Sequence, residues 1–185
     1  MDKKKLIGTI IGVIFFVVLI AGATFAWLTF NATVTNGNYN TKTGNFLINY
    51  TKGENITDVP ITTVASASAV TTSDAQTVIV KAGKNATTAP NGNLTIKLKT
   101  DTTNTSLDLT TGALKYAVSI AGVAPTEIKS VTTTDDLTLV DSYTLTSTTQ
   151  VEFTVYFWLD SSTITSTDMG KTYSGYIDAS AIQVE

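Results

Sequence analysis

Beyond residue 30 the apolar residues fall in short alternating runs, a period of two that puts one set of side chains on a single strand face. The spacing predicts strands over residues 45–50 (Phe46, Ile48 and Tyr50 on one face) and 77–82 (Val78 and Val80). The cleanest alternation is over 93–99, where Leu94, Ile96 and Leu98 interleave with Thr95, Lys97 and Lys99. Further strands are predicted over 114–120, with Leu114, Tyr116, Val118 and Ile120 together, and over 137–145, interrupted at Asp141 and Ser142. Residues 151–159 carry Val151, Phe153, Val155, Phe157 and Leu159 on one face and Tyr156 and Trp158 on the other, which marks them as the central strand. The last run, 173–184, turns Ile177, Ala179 and Ala181 inward. Asn91-Gly92 and Asp135-Asp136 read as turns, and 64–74 as a Ser/Thr/Ala loop or a weak edge strand. No segment beyond residue 30 keeps helical spacing, so the expected fold is all-β, a single β-sandwich.

Residues 6–30 break this pattern. They carry no charge and follow directly on Lys3, Lys4 and Lys5. As a helix the run would extend about 37 Å, beyond the ~30 Å of a hydrocarbon core. A positive start, an apolar stretch and then small residues is equally the layout of a secretory signal peptide. Both readings mean export, to the cell surface or the extracellular space. Cleavage after Ala26 would start the mature chain at Trp27. A rival site, Ala21-Gly22-Ala23, fits the small-x-small rule and would start it at Thr24. The chain thus divides into 1–26 (signal peptide or transmembrane segment), 27–44 (N-terminal strand segment) and 45–185 (β domain).

Composition narrows the chemistry. Thr supplies 37 of the 185 residues, and a β-branched hydroxyl side chain suits the wet face of a sheet. There is no Cys and no His, and all 12 basic residues are Lys. These absences exclude disulfides, thiolate metal sites and His-based nucleophilic or zinc chemistry. They also exclude bidentate Arg clamps. A net charge of −3 argues against nucleic acid as a partner. The expected protein is not an enzyme and needs no cofactor and no metal. Asp101 with Asp108, or Asp160 with Asp168, could offer oxygen ligands to Ca²⁺. No Asp-x-Asp-x-Asp-Gly loop accompanies them, and solvated loop carboxylates are the simpler reading. Asn-x-Ser/Thr sequons occur at Asn31, Asn49, Asn55, Asn85, Asn93 and Asn104, a set that so much Thr and Ser enlarges by composition alone.

The junction reads Gly22-Ala23-Thr24-Phe25-Ala26-Trp27-Leu28-Thr29-Phe30, and a polar stretch leads from it to Thr43-Gly44-Asn45-Phe46-Leu47-Ile48. It resembles the start of the TasA/camelysin family of exported biofilm-matrix fibre proteins. The closing run Ser174-Gly175-Tyr176-Ile177, then Ala179-Ser180-Ala181-Ile182-Gln183, is similar to that family's last strand. The resemblance covers the two ends of the chain. It implies a jelly-roll-like sandwich that polymerises head to tail by donor-strand exchange. Signal peptidase frees an N-terminal segment, which inserts as a strand into the next subunit. Trp27, Leu28, Phe30, Ala32 and Val34 are the apolar residues of that segment. Partners implied are a second copy of the chain, signal peptidase and other matrix or surface components. The metalloprotease activity described for camelysin is not implied, because the chain has no His. Two other readings stay open: a membrane-anchored surface module or adhesin, and a pilin-like subunit that keeps its apolar helix in a filament core.

Overall fold

The computed structural model describes residues 40–43, 45–52, 55–57 and 59–184; the predicted apolar helix over 6–30 lies outside them. The strands in chain order are β1 (Asn40–Thr43), β2 (Phe46–Lys52), β3 (Asn55–Ile56), β4 (Ile61–Thr62), β5 (Gln76–Lys84) and β6 (Gly92–Thr100). Then come β7 (Leu114–Ile120), β8 (Lys129–Ser130), β9 (Leu137–Leu145), β10 (Val151–Asp160) and β11 (Gly175–Gln183). The described residues are all-β apart from three short 3-10 turns.

β10 is the middle of the larger sheet, whose order is β1-β2-β5-β10-β7-β8, with β4 pairing in parallel at the end of β10. Its neighbours β5 and β7 both run antiparallel to it. Phe153, Val155 and Phe157 are fully buried on one face. The smaller sheet has the order β3-β11-β6-β9. The inward residues of both sheets join one apolar cluster, which includes Ile48, Val78, Val80, Leu94, Ile96, Leu98, Val155, Ile177 and Ala179. Tyr143 of β9 meets Phe153 of β10 edge-to-face at 5.0 Å, so the two sheets touch through a ring pair. Each large apolar side chain hidden in this way contributes roughly 1.5–3 kcal/mol.

The second face of β10 is covered by loop rather than by another sheet. Trp158 is only 1% exposed, packed with Ala117, Val70 and Ala75 in a small separate cluster. The covering strap, residues 63–75, contains the 3-10 turn Ala67–Ala69. Asp74 closes it by accepting from the Thr71 N–H (3.2 Å) and the Thr71 hydroxyl (2.6 Å). Both apolar faces of β10 are thereby covered.

Three expectations need adjusting. Gly92 is not in a turn but opens β6, paired to Gln183 on one side and Leu145 on the other. A Cβ there would overlap the Phe46 ring, so the glycine serves close approach between layers. Of the two readings of residues 64–74, the loop is the one observed, as the strap just described, and the weak edge strand is not. The β structure also reaches back to Asn40, into the stretch assigned to the N-terminal segment, because β1 pairs with β2.

Candidate functional site: the two strands that flank β6

In the smaller sheet β6 is flanked by strands of opposite character. On one side lies β9, which is irregular where Asp141 and Ser142 interrupt its alternation. Its pairing with β6 shifts register between Leu94 and Ile96, and Ser142 sits at a φ of 50°. That is a β-bulge; with exposed Asp141 beside it, it bends and charges the edge against further pairing.

On the other side lies β11. It pairs with β6 over nine consecutive residues, Gly175↔Thr100 to Gln183↔Gly92, without a shift. Among the described residues its outer side is covered by β3 at Gly175 and Tyr176 only. The parity of the rest follows from two bonds. Asp101 N–H donates to Ser174 O (2.9 Å), and Val184 N–H donates to Asn91 O (3.0 Å). Even-numbered residues of β11 therefore exchange bonds with β6, and Ile177, Ala179, Ala181 and Gln183 turn their backbone groups outward. One outward donor has a side-chain partner: Ala179 N–H donates to the Tyr50 hydroxyl at 2.8 Å. Tyr50 stands on β2 of the other sheet, 2% exposed. Further along, Asn45 Nδ2 donates to Gln183 Oε1 at 3.2 Å.

One polar feature adjoins this edge. Asp178 is 9% exposed, and its Oδ2 lies 3.4 Å from Lys99 Nζ, while its Oδ1 is buried without a hydrogen-bond partner. Lys99 also lies 3.5 Å from Asp136. Burial works to lower the Lys99 pKa, but the Asp178 carboxylate, and then Asp136, outweigh it and hold the ammonium above its usual value.

The remaining predicted positions are dispersed. Ala23, Thr24, Ala26, Trp27, Leu28, Phe30, Asn31, Ala32 and Val34 lie outside the described residues. Among the sequons, Asn85 and Asn104 are on exposed loops, with Asn104 Nδ2 donating to Asp101 at 2.6 Å. Asn49 is half-buried and donates to Gln150 at 3.1 Å. Asn55 lies in β3, where its carbonyl accepts from Gln76 Nε2 (2.8 Å). Asn93 lies in β6, its amide oxygen accepting from Thr144 at 3.3 Å.

The acidic pairs are employed locally. Asp101 accepts from the Thr103 N–H (3.0 Å), and Asp108 from the Thr110 N–H (2.9 Å). Asp160 accepts from the Ser162 N–H (3.0 Å), and Asp168 from the Thr165 N–H (2.9 Å). These are turn caps, the usual employment of Asp in loops. Hydrogen bonds from Asn104, Thr110 and Ser162 respectively hold Asp101, Asp108 and Asp160 below the usual carboxylate range. A shallow cleft of about 110 Å³, beside Tyr116, Val118 and Leu139, holds the Glu127–Lys129 ion pair (3.1 Å). It brings no nucleophile next to a base.

Loop positions give no hint of the β11 edge. It depends on which strands are neighbours across the sheet, and the useful sequence sign was indirect: an unbroken final strand against an interrupted β9. Comparison of the chain with protein-family models, with curated proteins and with solved structures returns no match.

Proposed function

We propose that the protein is an exported structural subunit of an extracellular fibre or matrix. Its two sheets stack as a jelly-roll-like β-sandwich, and it polymerises by giving an N-terminal strand to a neighbour. The observation that carries this reading is the straight outer edge of β11, which among the described residues is paired by β3 at Gly175 and Tyr176 only. Strand addition draws affinity from such main-chain groups and specificity from alternate side-chain positions. A contact of this kind joins unlike surfaces, so it propagates into open filaments rather than closing a ring. The donor is the alternating segment after the export run, Phe30, Ala32 and Val34 against Asn31 and Thr33.

N-terminal sequencing of protein recovered outside the cell, with negative-stain microscopy of the same sample, tests the reading. The expected result is a start at Trp27 or Thr24 and filaments. A mature chain that stays monomeric at high concentration sinks it. One observation favours a second reading: the uncharged run 6–30 is longer than the roughly 7–15-residue core of a signal peptide. Recovery of the uncut chain in membranes would make the protein an anchored surface module.

A further inference from the structure

The loops that join the strands differ in how they are tied to the sheets. Residues 85–91 are held by Asn85 N–H to Asn45 O (2.8 Å) and by Val184 N–H to Asn91 O (3.0 Å). The long connection 101–113 is stitched to 172–174, where Ser106 and Leu107 N–H both donate to Thr172 O (2.8 and 3.0 Å). Residues 146–150 are held through Ser147 O, which accepts from Lys84 N–H (2.8 Å). The strap over Trp158 is the exception. Across residues 64–74, every hydrogen bond among the described residues stays inside the strap. Ala69 N–H donates to Ser66 O, Val70 N–H to Ala67 O and Asp74 N–H to Thr71 O. What keeps the strap in place is apolar contact, Val70 and Ala75 against Ala117 and Trp158. Ala65, Ser66, Ser68 and Ala69 are exposed. A segment with few buried contacts and only internal bonds opens by itself, without unfolding the sheets beneath it.

We propose that residues 64–74 are a processing site, cut in the folded protein by an endoprotease that accepts small aliphatic side chains. The run Val64-Ala65-Ser66-Ala67-Ser68-Ala69-Val70 offers Ala and Val beside the bonds to be cut, and nothing basic or bulky. A protease with a shallow specificity pocket, as in elastase, takes such residues. One built for lysine does not, since the lysines nearest in the chain are Lys52 in β2 and Lys81 in β5. The step is hydrolysis: water adds its hydroxyl to the carbonyl carbon, the C–N bond breaks, and the amine leaves with the proton. Both flanks of the strap are anchored. Before it, Ile61 and Thr62 pair with Leu159 and Asp160, and after it Gln76 begins β5. The two pieces of a cut chain remain joined across the sheets, β2 to β5 and β3 to β11. The larger apolar cluster includes none of residues 64–74, so the cut frees the cover of Trp158 and leaves that core closed. This inference is independent of the fibre reading, and its failure leaves that reading untouched.

Limited proteolysis tests it. The folded full-length chain, held in mild detergent because of its uncharged run 6–30, is exposed to an elastase and, in parallel, to trypsin. Mass spectrometry is expected to place the first elastase cut between residues 40 and 184 within 64–74. That cut should be at least about tenfold faster than any other in the range, by either enzyme. Its rate should change by less than about twofold on adding about 1 M urea, the mark of a local opening. The two pieces should separate in SDS and travel together in size-exclusion chromatography. In a Trp27→Phe background Trp158 is the remaining tryptophan, and its quenching by acrylamide should rise about twofold or more after the cut. A first cut elsewhere between 40 and 184 overturns the proposal. So does a rate that climbs with urea in step with global unfolding, and so do pieces that part without denaturant or a Trp158 whose quenching is unchanged by the cut.

Discussion

β9 and β11 flank the same strand, run over nine residues each and differ in how they meet solvent. β9 shifts register twice against β6, with Ser142 at positive φ, and carries Asp141 beside it. β11 has no register shift against β6, and a tyrosine hydroxyl reaches across from the other sheet to its Ala179 N–H. Edge strands invite unwanted pairing, and proteins ordinarily blunt them. Here one edge is blunted covalently, by an extra residue that is always present. The other meets a hydroxyl from the neighbouring sheet. The difference is between protection built into the backbone and a hydrogen bond from a buried side chain.

The comparison can be broken first at its hinge. Gly92 pairs with the last residue of both edges, and the Phe46 ring occupies the space above it. Gly92→Ala is expected to cost about 1–3 kcal/mol by overpacking, seen as a lower denaturation midpoint, and to loosen both edges together. Next in size is Tyr50→Phe. It leaves the Ala179 N–H without its hydroxyl, at a cost of about 1–2 kcal/mol for an abandoned buried donor. On the fibre reading proposed above, filament growth should nevertheless accelerate, because an outward N–H of β11 has lost its hydroxyl partner. Slower growth in a turbidity or light-scattering assay would show that the hydroxyl helps to receive the strand rather than to guard it.

Ser142→Gly addresses the permanent edge. Ser142 holds a left-handed conformation at φ 50°, strained by about 1 kcal/mol relative to glycine. The substitution should raise the thermal midpoint slightly and leave filament yield alone. The smallest effect belongs to Lys99, which joins the bend before β9, through Asp136, to β11, through Asp178. Lys99→Met should cost at most about 1 kcal/mol, since the pair is partly solvated. Because the folded chain raises the Lys99 pKa above 10.5, this contribution is fully present below 10.5 and is lost as pH rises through the higher folded value. The difference in thermal midpoint between parent and variant should therefore be level from pH 7 to about 10 and shrink beyond.

Much of the strand pattern was legible because side-chain alternation is local. Leu114–Ile120 and Leu137–Leu145 match their predicted limits, and the interruption at Asp141 and Ser142 is the observed bulge. The central place of β10 was legible from its doubly apolar run. The short strands were not. Asn55–Ile56, Ile61–Thr62 and Lys129–Ser130 have two residues each, too few to show any period. Asn40–Thr43 is polar throughout, so only its pairing with β2 makes it a strand. Gly92 resembles a turn residue after Asn91, and the Phe46 ring that explains it is 46 positions away in the chain. The edge position of β11 was hidden for the same reason, because it belongs to the order of strands and no single strand carries it.

The strap over Trp158 has a further consequence. Its outward side presents Ser66, Ser68, Thr71 and Ser73, all exposed, with the Thr71 and Ser73 hydroxyls 2.7 Å apart. Seen as a colloidal particle, the molecule has a hydrated back where an aromatic strand could have been sticky. Two such backs brought together must strip water from hydroxyls and gain no apolar contact in return. Side-by-side clumping is disfavoured on that face, so a fibre built from these subunits would stay thin and separate from its neighbours.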